Sequence, residues 1–317
     1  MWRILAGRLS AALIILYSFG VCAQDFPIRS MRMVTGPPGG TGDFAARLIA
    51  QGLSVSLGQQ VVVENQPAGV IPAQLVAKAT PDGYTLFFYG SSLWTLELLQ
   101  SVPYETVRDF LPITLTNRLP NILVVHPSSP VNSVAELIAL AKARPGKLNY
   151  AMGGIGGTDH LSMELFKAMT GVNITQIPYR GTGPAIIALM ANEAQLSISP
   201  AAAVSPHLKS GRLRGLAVTS AHPSLLAAGL PTVAMTVPGY EFTALYGIWA
   251  PARTPAILIN RLNQEIVRFI SRTEVKDQFL AVGADTVGSS PEEFASVIGA
   301  DIVKWTKVIK EAGIRAN

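Results

Sequence analysis

The sequence holds a single cysteine, Cys22, and that residue lies in a stretch that does not read as part of a fold. Nothing downstream of it can form a disulfide, supply a thiol nucleophile or give a cysteine ligand to a metal. Charge is scarce as well. Only 14% of residues are Asp, Glu, Lys or Arg, and the net +5 is scattered along the chain. No run of Lys or Arg alternates with aromatic residues, so nucleic acid is not an expected partner. Four histidines occur, His126, His160, His207 and His222, and none is spaced with another ligand as a zinc motif requires. No Gly-x-Ser-x-Gly elbow is present. A phosphate loop needs a lysine after its last glycine, and a dinucleotide loop needs G-x-G-x-x-G. Gly154-Ile155-Gly156 begins the second pattern, but Asp159 occupies the place of its third glycine. These absences predict no catalytic residue, no metal and no cofactor. An enzyme on this scaffold is the least favoured reading: His160 could act as a base, but no partner nucleophile is evident.

What is present begins with a leader. Arg3 and Arg8 precede an apolar run from Ala11 to Val21, interrupted at Ser18, and Val21-Cys22-Ala23 follows. This is the layout of a secretory signal peptide over 1–23. The apolar run is shorter than the roughly 20 residues of a membrane span. A lipid anchor at Cys22 is the alternative, though Phe19-Gly20-Val21 fits a lipobox poorly. Removal of 1–23 takes away the cysteine with Arg3 and Arg8 and lowers the net charge to +3. Export without cysteines points to a periplasm.

The rest of the chain is longer than one hydrophobic core commonly spans, so two lobes are expected. Short β-rich runs alternate with amphipathic stretches. Met31–Thr35, Val61–Glu64, Thr85–Tyr89, Ile122–Val125, Leu148–Ala151, Ile174–Ile177, Leu213–Val218 and Tyr246–Ala250 read as strands. Helical patterns lie between them. Ser133-x-x-Glu136 and Ser290-Pro291-x-Glu293 mark helix starts. The alternation predicts an α/β fold of mostly parallel sheets. No low-complexity linker separates the lobes, so strand-like segments near Leu123–Val125 and Pro238–Tyr246 are the expected crossings. Lobe 1 then comprises 26–124 and 241–317, and lobe 2 comprises 125–240.

One strand–glycine–helix unit occurs twice. Met31–Thr35 leads through Gly36-Pro37-Pro38-Gly39-Gly40-Thr41-Gly42 to Asp43; Leu148–Ala151 leads through Gly153-Gly154-Ile155-Gly156-Gly157-Thr158 to Asp159. Glycine lets another group approach the backbone closely. The first amides of a helix lack intrahelical partners and face the positive end of its dipole. Each turn is therefore a ready anion site, and such turns open at the carboxyl ends of strands, where ligands bind. Two of them, one per lobe, could hold one carboxylate without any lysine or arginine. Gly90-Ser91-Ser92 and Pro178-Tyr179-Arg180-Gly181 also follow strands and add hydroxyls.

Further motifs run in order along nearly the whole chain: Pro37-Pro38-Gly39-Gly40 with Asp43-x-x-Ala46-Arg47, Leu57-Gly58-Gln59, Pro81-Asp82-Gly83-Tyr84-Thr85, Arg144-Pro145-Gly146-Lys147, His160-Leu161 with Glu164-Leu165-Phe166, Pro178-Tyr179-Arg180-Gly181 and Pro238-Gly239-Tyr240-Glu241. The sequence resembles the Bug receptors, the substrate-binding proteins of tripartite tricarboxylate transporters. The resemblance implies a two-lobed type II periplasmic binding fold with a hinge. It implies a monomer whose partners are a small organic acid and the membrane permease components of such a transporter, or a sensor protein in their place. It implies a ligand site at Pro38, Gly39, Gly40, Thr41, Gly42, Asp43, Ser91, Gly154, Ile155, Gly156, Gly157, Thr158, His160, Tyr179 and Ser199. Three departures accompany it. Gly42 stands where the family commonly has threonine, Gln195 and Ser199 stand where two aspartates are usual, and Leu245 stands where tryptophan is frequent. The missing aspartates argue against an amino-acid ligand.

Overall fold

The structure is a computed structural model that describes residues 26–317 apart from Gly40, Ala68, Ile155, Gly156, Ala228, Gly313 and 315–317. The expected leader, with Cys22, lies outside the described residues, as do three expected site residues, Gly40, Ile155 and Gly156. The first elements are β1 (Met31–Thr35), α1 (Thr41–Leu57), β2 (Val61–Asn65), α2 (Ile71–Ala77), β3 (Thr85–Gly90), α3 (Ser92–Leu99), α4 (Thr106–Asp109) and β4 (Phe110–Val125). Then come α5 (Val134–Ala143), β5 (Asn149–Met152), α6 (Thr158–Thr170), β6 (Thr175–Pro178), α7 (Thr182–Met190), β7 (Leu196–Pro200), α8 (Ala201–Lys209) and β8 (Arg214–Val218). The chain closes with β9 (Thr243–Pro251), α9 (Ala256–Ile270), α10 (Thr273–Ala281), β10 (Asp285–Thr286) and α11 (Pro291–Ala312).

The strands join in the order β2-β1-β3-β9-β4-β7-β5-β6, with β8 and β10 also on β4. The outer strands are parallel, as βαβ units require: β1 with β2 and β3, and β5 with β6 and β7. The expectation of mostly parallel sheets needs correcting at the centre. There β9 pairs antiparallel with β3 and β4, and β4 pairs antiparallel with β7 and β8. The reason is topological. β4 and β9 carry the chain between the lobes in opposite directions, so they lie against one another from Phe110↔Pro251 to Pro120↔Thr243. Phe110–Pro120 of β4 pairs with β9, and Asn121–Val125 pairs with β7 and β8.

Each lobe buries both faces of its part of the sheet. At the end of β4 side chains alternate across it. Ile122 and Val124 face Ile186, Leu189 and Val204, while Leu123 and Val125 face Tyr150, Met163 and Phe166. In the first lobe Met33, Ile49, Phe88 and Leu262 fill one face, and Phe87, Trp94, Trp249 and Phe294 the other. Burial of such a side chain contributes about 1.5–3 kcal/mol. Helix α11 spans both lobes. Phe294 and Ile298 enter the first lobe's core, whereas Trp305, Val308 and Ile309 join the second, with Trp305 edge-on to Phe242.

Both serine-marked helix starts form, the second as a full capping box and the first with Glu136 Oε2 accepting from the Asn132 amide at 2.7 Å instead. The Glu136 amide donates to Ser133 Oγ at 3.1 Å and the Glu293 amide to Ser290 Oγ at 3.1 Å. Glu293 Oε2 in turn accepts from the Ser290 amide at 2.8 Å.

Candidate functional site

A cavity of about 470 Å³ is walled by the first glycine turn and by Thr158, where the second turn enters α6. β1 ends at Thr35 and the chain turns through Gly36-Pro37-Pro38 into α1. The cavity wall takes in that turn together with Thr41, Gly42 and Asp43. From the other lobe come Thr158, the first residue of α6, and Pro200, which leads into α8. Gly90 and Ser92, where β3 meets α3, complete a ring of four strand-to-helix junctions. The crossing strands supply Leu119, Asn121, Ala244 and Tyr246 as the floor.

The acids that follow the two turns are held differently. Asp43 Oδ2 accepts from the Gly39 amide at 3.0 Å, and Gly39 has φ +87°, a value glycine adopts without strain. Asp43 Oδ1 accepts from Asn65 Nδ2 at 2.8 Å and faces Arg47 Nε at 3.0 Å. Burial alone would raise this carboxyl, but Gly39, Asn65 and Arg47 together hold it below the usual carboxylate range. The amide it uses, that of Gly39, precedes the helix. Asp159 is buried and accepts from the amides of Gly153 and His160. Burial outweighs those donors and raises its pKa.

The second turn is tied to the crossing strand. Asn121 Nδ2 donates to the Thr158 carbonyl and to Ser162 Oγ, each at 3.1 Å. Thr219 Oγ1 in turn accepts from the Asn121 amide at 2.8 Å. The entry of α6 is thereby fixed to β4.

The cavity wall holds Pro38, Thr41, Gly42, Asp43 and Thr158 among the residues expected from the sequence. Gly39, Gly154 and Gly157 shape the turns behind it. A Cβ on Gly157 would lie 2.7 Å from Asp159 Oδ1. Besides these three glycines, four expected residues are off the wall. The Ser91 amide donates to the Leu245 carbonyl, and the neighbouring Ser92 lines the cavity. His160 is buried on α6 with its pKa lowered by burial, beside Glu164, Asp159, Lys167 and Gln176. The Tyr179 hydroxyl donates to Glu193 at 3.4 Å on the surface. Ser199 is fully buried and pairs with Ser197 Oγ at 2.7 Å. Gln195 lies at the opposite end of β5 from the turn, where its Oε1 accepts from the Asn149 amide. Gln195 and Ser199 therefore do not bear on the charge of the cavity. Asn121, Tyr89 and Tyr246 escaped the sequence reading; the signal available for them was only their place near the ends of strands.

A larger depression of about 860 Å³ lies between α8 and α10, lined by residues such as Leu208, Leu226, Leu230 and Leu280. Neither glycine turn reaches it. Among the described residues no group of His, Cys, Asp and Glu is arranged to hold a metal, and no helix is long and apolar enough to cross a membrane.

Comparison with known proteins agrees with this architecture. Residues 45–314 match the model of the tripartite tricarboxylate transporter family receptor. Protein BugT of Bordetella pertussis is 36% identical over 302 residues, covering 93% of each chain. An R. palustris protein solved with adipate superposes with a TM-score of 0.79 at 38% identity, over 92% of this chain and 99% of that one. MatC from Rhodopseudomonas palustris, solved with malate, gives 0.74 at 26% identity, over 90% of this chain and 100% of that one. With two lobes joined by crossing strands and a cavity between them, the chain belongs to the tripartite tricarboxylate transporter receptors and is a solute-binding protein of the Bug type.

Proposed function

We propose that this protein is a periplasmic receptor that closes its lobes on a small organic carboxylate and presents it to the permease of a tripartite tricarboxylate-type transporter. The observation that carries the reading is the composition of the shared cavity. Among the described residues its wall has no Lys, Arg or His, and its one acid, Asp43, is engaged by Gly39, Asn65 and Arg47. An anion there would be met by the first-turn amides of α1 and α6 and by the hydroxyls of Thr41, Ser92 and Thr158. An ammonium group would find no free carboxylate. The acids bound by the R. palustris relatives, adipate and malate, are of this chemical class. The wall offers donors for binding and no nucleophile paired with a base, which favours capture over turnover.

The test is a thermal-shift screen on Gln24–Asn317 followed by calorimetry. The panel is acetate, benzoate, adipate and malate, with glutamate and putrescine as counter-probes. Mass action raises Tm for a ligand that binds only the folded state. At least one plain carboxylate should raise Tm and bind one to one, while putrescine should not. A shift confined to the amine would overturn the reading.

A further inference from the structure

Tyr246 stands in the first lobe's strand β9, with Gly90 of β3 and Asn117 of β4 as its cross-strand partners. Its ring passes between two glycines. A Cβ built on Gly42 would lie 3.1 Å from Cε1, and one built on Gly90 would lie 3.0 Å from Cζ. Both distances are closer than side chains ordinarily approach, so glycine at these positions is what admits the ring. Phe88 stacks on it at 5.7 Å. The hydroxyl lies 3.8 Å from the Gly42 Cβ position, beside the first turn of α1, on the wall of the shared cavity.

That hydroxyl makes no hydrogen bond to any described residue. Tyr89, across the same cavity, has a protein partner: its hydroxyl donates to the Gly69 carbonyl at 3.3 Å. A tyrosine hydroxyl withdrawn from bulk water normally finds a partner, because leaving one unmade costs free energy. Here the Tyr246 ring and the first residues of α1, Thr41, Gly42 and Asp43, line one cavity.

We propose that the Tyr246 phenol donates a hydrogen bond to the ligand's carboxylate at the α1 end of the cavity, and that Gly42 and Gly90 are required to seat it there. Tyr246 is thus a specificity-determining residue that fixes where that carboxylate rests relative to the helix. The inference rests on the carboxylate reading of the cavity and deepens it. Burial also raises the phenol's pKa, which keeps it protonated as a donor. The ring edge narrows the α1 end, so it selects an acid whose first carbons are slender. A side chain at position 42 would press on the ring and turn the donor away.

The test compares Tyr246→Phe with Tyr89→Phe. Calorimetry uses acetate, benzoate, adipate and malate on the wild type and both variants. A hydrogen bond to a charged group is worth enough that Tyr246→Phe should weaken the best-bound acid by about tenfold or more. Tyr89→Phe should change it less than about threefold, since that hydroxyl serves Gly69. Unliganded melting temperatures should stay within about 2 °C of the wild type, because only one unpaired oxygen is removed. A second measurement needs no variant: the ¹³Cζ resonance of Tyr246 should move on adding the same acid, and that of Tyr89 should not. Unchanged affinity in Tyr246→Phe with a stationary Tyr246 resonance would sink this proposal alone. Failure of the wild type to bind any of the four acids at 10 mM would sink the receptor reading, and this proposal with it.

Discussion

The two glycine turns look like copies in the sequence and behave as opposites in the structure. Offset by 117 positions, Gly36 matches Gly153 and Thr41 matches Thr158. The first turn then has one extra residue, Gly42, before its acid. In a helix of 3.6 residues per turn, one residue rotates a side chain by about 100°. Asp43 is the third residue of α1 and reaches back to Gly39 and sideways to Asn65 and Arg47. Asp159 is the second residue of α6 and is pressed inward onto Gly153. Asp43 leaves the helix amides free, whereas Asp159 occupies that of His160. A repeated motif thus preserves the strand–glycine–helix plan without preserving how its acid is held or which way its pKa moves. It is the first turn beside which Tyr246 rests.

The largest break in this comparison should come from the matched glycines behind the turns. A Cβ on Gly153 would lie 2.6 Å from the Thr182 amide nitrogen and 2.8 Å from the Gly181 carbonyl carbon. These are backbone atoms and cannot rotate aside. A Cβ on Gly36 would meet only the Tyr89 ring, at 3.7 Å, an ordinary contact. Gly153→Ala should therefore cost about 1–3 kcal/mol by overpacking. Gly36→Ala should be near neutral or stabilising by up to about 1 kcal/mol, because the unfolded chain loses freedom. Urea unfolding of the two variants measures the difference, and equal midpoints would show that the second turn is not backed by α7 as described.

A second effect concerns the acids. The Asp43 carboxyl should titrate below the ordinary value of 3.8 and that of Asp159 above it. The contribution of Asp43 to stability is then present above pH 3.8 and is lost as pH falls through its lowered value. Asp159 runs the other way. Its contribution is full below pH 3.8 and is lost as pH rises through its raised value. Carboxyl-carbon NMR titration of the unliganded protein resolves the pair, and a reversed order would remove the contrast between the turns.

How much of this was legible in the sequence follows from the range of the forces involved. The start of α5 is legible because Ser133 and Glu136 are local signals, and β1 is legible because an apolar run meets a glycine turn. Only the last four residues of β4 were read as strand. Pro112, Asn117 and Pro120 are residues that strands disfavour. They are tolerated there because the register against β9 shifts between Pro112 and Thr114 and again between Leu115 and Asn117. β7, β10 and the helices α3, α4, α8 and α10 carry no such local marks and are absent from the sequence reading. In the site, the turns could be found because glycines cluster along the chain. Asn121 and Tyr246 could not, since their roles depend on two crossing strands lying beneath helix ends far away in sequence. Ser199 illustrates the converse: it is near the cavity along β7, but the strand's alternation turns it into the core against Ser197.

The smallest expected effect separates charge from amide in the first turn. Arg47 is the cation the second turn has no counterpart for, with Nε 3.0 Å from Asp43 Oδ1 one helical turn away. Yet 54% of its side chain is exposed. Water and salt screen such a pair, which typically contributes about 0–1 kcal/mol. The hydrogen bonds from Gly39 and Asn65 rank ahead of Arg47 in lowering the Asp43 pKa. Arg47→Ala should accordingly cost no more than about 0.5 kcal/mol in urea, with less loss at high salt. Asp43 should still titrate below the ordinary carboxylate value, though closer to it. If its titration instead rose to that of an ordinary carboxylate, the cation rather than the turn's own amides would set the charge state. The difference between the two turns would then reduce to one arginine.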